Sequence, residues 1–169
     1  GLDVRVIVDA AANLGLQTQW MYFDLKQHGI EVQGYESLYL EWINEEDIEA
    51  LRQAGTVATL VPGATFNLGL TRYPPARKLI DAGVPVALAT DFNPGSCFTL
   101  NMQLILSIAC SQMKMTPAEA ITAAAINAAY ALGLSDRLGS LEEGKQADLV
   151  LMDVADYRDM LVIIRDRIQ

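Results

Sequence analysis

Asp91 is the residue of this chain whose surroundings most suggest chemistry. It closes the apolar run Val84-Pro85-Val86-Ala87-Leu88-Ala89-Thr90, and Asn93-Pro94-Gly95-Ser96 follows at once. An apolar run without polar alternation reads as a strand buried on both faces, as in a parallel sheet or barrel. Asn-Pro-Gly-Ser is turn chemistry. A carboxylate is therefore placed where a buried strand emerges, beside a loop rich in amides and small polar groups. In parallel α/β folds that end of the strand is where ligands and metals bind. An aspartate there suits metal ligation or proton acceptance. It equally suits capping the turn with its own side chain, and spacing alone leaves both readings open.

The elements that must position this carboxylate alternate strand and helix. Val4–Asp9 reads as a compact apolar strand, and Ala10–Trp20 and Met21–Gln33 as interrupted helical stretches. Asn44 followed by Glu45, Glu46 and Asp47 is an N-cap with acids in the first turn, and Gly55 ends that helix. Thr56–Val61 is the next strand, closed by Pro62-Gly63, with a loop to Tyr73. Pro74-Pro75 opens a helix through Ala82, Pro75 standing at its first position and Gly83 stopping it. Leu100–Met113 is a strongly apolar helix. Thr116-Pro117-Ala118-Glu119 is a capping box that opens an alanine-rich helix ending at Leu132-Gly133. Gly139–Gln146 is rich in turn residues, and Ala147–Val154 reads as a last strand. Strands separated by helices indicate parallel β-α-β units. An eight-stranded barrel takes about 250 residues; three or four such units make half of one, or a small open sheet.

Composition narrows the function classes. A chain of 169 residues, half of them hydrophobic and a fifth charged, has the material for a core and does not read as disordered. A net charge of −9 argues against nucleic-acid binding, which needs a basic footprint. No apolar run reaches membrane-spanning length, and no basic-then-apolar leader opens the chain. Cys97 and Cys110 form neither a disulfide framework nor a metal spacing, so a reduced, cytoplasmic protein is the expectation.

Several motifs carry a resemblance. Gly139-Ser-Leu-Glu-Glu-Gly-Lys-Gln-Ala-Asp-Leu-Val-Leu-Met-Asp153 resembles the closing signature of the amidohydrolase superfamily, where the chain leaves the barrel for a small β-domain. Leu60–Ala64, Tyr73–Arg77, Ala87–Ser96, Met102–Leu106, Met115–Glu119 and Asn127–Gly133 together resemble the imidazolonepropionase family within it. The resemblance implies an α/β fold: the C-terminal half of a TIM-like (β/α) barrel over residues 1–138, then the start of the small β-domain and an unmatched tail over 139–169. It implies hydrolysis of 4-imidazolone-5-propanoate to N-formimino-glutamate in histidine degradation, with zinc or iron in the complete enzyme. Asp91 matches the metal-bound carboxylate and proton acceptor, and Asn93, Gly95 and Ser96 match the substrate-binding loop.

The departures are specific. No His-x-His segment is present, and Ile7, Ala10 and Tyr39 stand where the family has a histidine ligand, Glu or Gln, and a catalytic histidine. His28, the one histidine, matches nothing catalytic. A catalytic zinc takes three protein ligands, so with Asp91 alone the chain is expected to bind no metal tightly and to be inactive by itself. Unmatched sequence between Gln17 and Leu40 and after Asp159 suggests an incomplete or frameshifted coding sequence. The chain is expected to self-associate through its open barrel edges. Two other readings compete: a non-catalytic half-barrel that survives as a scaffold or self-associating module, and an amidohydrolase of another cyclic amide or purine. The Asp91–Ser96 loop favours imidazolone; Ile7, Ala10 and Tyr39 favour the scaffold.

Overall fold

The computed structural model describes residue 43 and residues 45–161, within one of the two units into which the chain divides, Ile43–Gln169. The readings at Val4–Asp9, Ala10–Trp20, Met21–Gln33, His28, Tyr39 and Asn44, and the tail beyond Leu161, lie outside the described residues. Helix α1, Glu45–Gln53, has three acids in its first turn and Arg52 in its last, the order the helix dipole favours, and buries Ile48. Strand β1, Ala58–Leu60, follows, then helices α2, Pro62–Asn67, and α3, Ala76–Asp81, and strand β2, Val86–Leu88.

β1 and β2 pair in parallel, Ala58 opposite Val86, Thr59 opposite Ala87 and Leu60 opposite Leu88. One bond extends the ladder at each end: the Ala58 amide donates to the Pro85 carbonyl at 2.8 Å, and the Ala89 amide to the Leu60 carbonyl at 3.1 Å. Two parallel strands joined through helices are the β-α-β arrangement expected from the sequence. The ladder is shorter than the apolar runs that announce it: three residues of each run pair, and most residues of the runs beyond the ladder are half-buried.

Beyond β2 come α4, Met102–Gln112, α5, Pro117–Ala124, α6, Ile126–Ala131, and a short 3-10 helix, Tyr157–Leu161. Helices α3, α5 and α6 pack on β2, α2 packs on α4, and the 3-10 helix lies against α4 and α5. The Ser107 hydroxyl on α4 donates to the Leu161 carbonyl at 2.9 Å. Leu60, Leu79, Ala76, Ile105, Ala109 and Ala120 are fully enclosed and mark the core.

Local chemistry explains most boundaries. Asn101, not Leu100, caps α4: its side chain accepts from the Leu104 amide at 3.2 Å, and Leu100 is left exposed. Thr116 and Glu119 form the expected capping box. Gly83 ends α3 at φ 80, and the Val84 amide reaches back to the Leu79 carbonyl, a turn that only glycine enters without strain.

Four sequence expectations need correction. Pro62-Gly63 does not lead into a loop; Pro62 sits in the first turn of α2, where its fixed φ and missing N–H suit a helix start. Pro75 is the cap of α3 rather than its first residue. The alanine-rich helix breaks at Ala125, at φ −111 and ψ −93, beside the backbone of Gly139. No strand forms at Ala147–Val154: among the described residues it finds no ladder partner, and Val150 and Leu151 are 82% and 96% exposed. An extended apolar segment becomes a strand only where another backbone offers its hydrogen bonds.

Two contacts tie the layers together. A Cβ on Gly63 would lie 2.7 Å from both the Cys97 Sγ and the Ile105 Cδ1, so only glycine lets α2 approach α4 and the chain after β2 this closely. Arg77 on α3 clasps Glu119 on α5 through two bonds, at 3.0 and 2.9 Å, and also bonds Asp81 at 2.9 Å. The guanidinium, with support from the Thr116 backbone, holds the Glu119 carboxyl down at about 2, from an ordinary 4.5.

Gly63→Ala is expected to destabilise the chain by about 1–3 kcal/mol in urea unfolding, because the added methyl meets enclosed side chains. Glu119→Gln keeps the cap and removes the charge, with an expected loss of about 1–2 kcal/mol at pH 7 after allowance for partial exposure. A depressed carboxyl contributes stability that is full above its unfolded pKa and is lost as pH falls through its folded value. The difference between parent and Glu119→Gln should therefore shrink between pH 4.5 and about 2 and then vanish.

Candidate active site

Asp91 lies three residues past the end of β2, at its carboxyl end, as the sequence reading expected. Its backbone has φ 50, a left-handed conformation that aspartate tolerates better than most residues but that still carries strain. The chain then folds into a small loop. Asn93 and Cys97 pair across it: the Asn93 amide donates to the Cys97 carbonyl at 2.9 Å, and the Cys97 amide donates back at 3.3 Å.

Within that loop the Asn93 carboxamide makes four bonds. Its Nδ2 donates to the Asp91 carbonyl at 2.7 Å and to the Ser96 Oγ at 2.8 Å. Its Oδ1 accepts from the Gly95 amide at 2.9 Å and the Ser96 amide at 2.8 Å. The Ser96 hydroxyl donates in turn to the Asp91 Oδ2 at 3.4 Å. Ser96 is 1% exposed, whereas Gly95 is open to solvent.

Neighbouring elements set this loop's position. Cys97 is enclosed against Gly63 at the start of α2, whose missing side chain also faces the Thr90 carbonyl. The carboxyl ends of β1 and β2 are thereby drawn side by side. Phe92 and Phe98 flank the loop as a tilted aromatic pair, ring centroids 5.3 Å apart, both largely exposed. At the other end of β2, the Asn127 side chain on α6 donates to the Val86 carbonyl at 2.8 Å.

All four residues singled out by sequence, Asp91, Asn93, Gly95 and Ser96, thus fall in one loop, with Asp91 and Ser96 in direct contact. The sequence did not disclose that the Asn93 donors turn inward, nor that Gly63 and Asn127 fix the strand beneath. Asn127 lies in one of the quoted motifs, and an asparagine amid helical alanines was the available signal. Among the described residues, no three His, Cys, Asp or Glu side chains group closely enough to hold a metal ion.

Comparison with known proteins places this geometry in context. The Amidohydrolase family model matches residues 25–167. The chain is 43% identical over 168 residues to the imidazolonepropionase of Solibacter usitatus (strain Ellin6076), covering 92% of this chain and 38% of that protein. It is 48% identical over 164 residues to the imidazolonepropionase of Geobacillus kaustophilus (strain HTA426), covering 94% and 38%. The chain therefore spans less than two fifths of the length of these relatives. Among solved structures, an adenosine deaminase from Xanthomonas campestris with bound zinc superposes at a TM-score of 0.62 and 24% identity, over 87% of this chain and 36% of that one. The guanine deaminase of E. coli gives 0.55 and 25%, over 62% and 25%. The family match and these neighbours give the chain a TIM-barrel-type fold.

The enclosed Ser96 hydroxyl is expected to be structural as well. Ser96→Ala should lower stability by about 1 kcal/mol in urea unfolding, since its loss leaves one Asn93 donor short of a partner.

Proposed function

The chain belongs to the amidohydrolase family, and on that premise we propose that it carries part of the catalytic barrel of an imidazolonepropionase. In this reading residues 1–138 are the C-terminal half of the barrel and residues 139–169 begin the small β-domain. Hydrolase chemistry is common to the family and to the relatives; the imidazolone substrate is the finer step. The observation that carries it is the placement of Asp91 at the carboxyl end of β2, in contact with Ser96, in the stretch that resembles the imidazolone enzymes.

The reaction is the opening of a cyclic amide by water. In the complete enzyme Asp91 accepts the proton of the attacking water and returns it to the ring nitrogen as the carbon–nitrogen bond breaks. The loop from Asn93 to Ser96 forms the substrate side of the site, with Pro94 and Gly95 open to solvent. Phe92 and Phe98 give that side an apolar shoulder.

Family membership implies a divalent metal in the complete enzyme. The residues described here do not fit one on their own: Asp91 supplies one ligand where a catalytic site takes three. Asp91 would be the contribution of this part of the chain, and the remaining ligands would come from elsewhere.

The chain alone is expected to produce no measurable loss of imidazolone absorbance. Activity is tested in a chimera, in which residues 43–161 replace the matched stretch of the Geobacillus kaustophilus enzyme. There Asp91→Asn, which keeps shape and removes the proton acceptor, should lower kcat about 10²–10⁴-fold with a smaller effect on KM. Near-parental kcat in that variant would remove Asp91 from the chemistry.

A further inference from the structure

β2 is held on its two edges by different means. Toward β1 it has the ladder. On the other edge its fixed point is the Val86 carbonyl, which accepts from the Asn127 Nδ2 of α6 at 2.8 Å. The helices that cover β2 bring buried alanine and leucine side chains, among them Ala76, Leu79, Ala120, Ala123 and Ala129. Apolar burial is non-directional, and Val84, Val86 and Leu88 are buried alike along the strand. Such contacts do not distinguish one height of β2 from the next. A hydrogen bond has a preferred distance and angle, so Asn127 marks one point of β2 against the helices.

The turn that carries Asn127 has little room to move. The alanine-rich helix breaks at Ala125, and Asn127 stands in the first turn after the break. Gly139 presses on this turn from the chain beyond: a Cβ there would lie 2.9 Å from the Ile126 Cα and 3.0 Å from the Ala125 carbonyl oxygen. Asp91 comes five positions after Val86 and three after the end of the ladder. A carboxylate that must meet a reacting atom tolerates little displacement: a shift of about 1 Å costs about 10²-fold in rate.

We propose that Asn127 is a positioning residue for Asp91. Through the Val86 carbonyl it fixes the height of β2 against α6, and with it the height at which the Asp91 carboxylate emerges at the opposite end of the strand. The proposal rests on the reading of Asp91 as the reactive carboxylate.

Two variants separate the hydrogen bond from the packing. Asn127→Ala removes the donor and the volume; Asn127→Leu removes the donor and nearly keeps the volume. In the full chain, the amide shifts of Thr90 and Asp91 should move in both variants, together with the Val86 carbonyl shift. In the chimera, both should lower kcat about tenfold or more while KM stays within about threefold. The loss should depend on Asp91: in an Asp91→Asn background the same substitutions should change kcat by less than about twofold, although their cost in urea unfolding is unchanged. Should Asn127→Ala not fold, Asn127→Leu carries both measurements. Parental kcat in a folded variant overturns the proposal. So does an equal fall of kcat with and without Asp91, the mark of a general loss of structure, and so do shifts confined to Val86 and Ala87. If Asp91→Asn itself keeps parental kcat, the catalytic reading of Asp91 is what fails, and the Thr90 and Asp91 shifts alone decide whether Asn127 places the strand.

Discussion

The geometry of the described fold depends on a parallel ladder of three residue pairs, Ala58–Leu60 against Val86–Leu88. Two strands alone make a marginal sheet in water, so their stability comes from what encloses them. All three β2 residues are buried, beneath α3, α5 and α6. The backbone groups of β2 alternate in direction: Pro85 and Ala89 bond to β1, and the Val86 carbonyl faces the opposite edge. A buried carbonyl without a partner is costly. Asn127 meets it with a side-chain amide, so α6 is tied to the strand at a polar group as well as packed on it.

From that ladder the position of Asp91 follows in two steps. Register with β1 decides where β2 ends, and the contact of Gly63 with Cys97 and Ile105 decides how close the following loop lies to α2. Only then does the loop's own hydrogen bonding act. Strain at Asp91 is tolerated because the chain on either side is already fixed, by the ladder before it and by the enclosed Cys97 after it.

Much of this was legible in the amino acids, and the exceptions have a common cause. Continuous apolar runs announced β1 and β2, Thr116 and Glu119 announced their capping box, and Asp91 was recognisable as a carboxylate at a strand end. Each of these signals is complete within a few residues. Pro62 was misleading because proline stops one element and starts the next with equal ease, and only the three-dimensional path decides. Ala147–Val154 has the composition of a strand, but strand formation is a property of two segments, and no described segment pairs with it. The Arg77–Glu119 pair spans 42 positions, and the inward turn of Asn93 depends on where Ser96 and Asp91 come to rest. Such features are decided by tertiary structure and leave no local mark.

The Arg77–Glu119 pair has a further consequence, in how this protein can change by descent. Arg77 serves Asp81 as well as Glu119, and Glu119 closes the cap of α5 as well as meeting Arg77. Each residue therefore answers to two neighbours, and no single replacement satisfies both. Losing either partner also strands the other's charge in a half-enclosed place. Natural variation would meet positions 77 and 119 as one hereditary character, kept whole or exchanged together, although the chain writes them in two different helices.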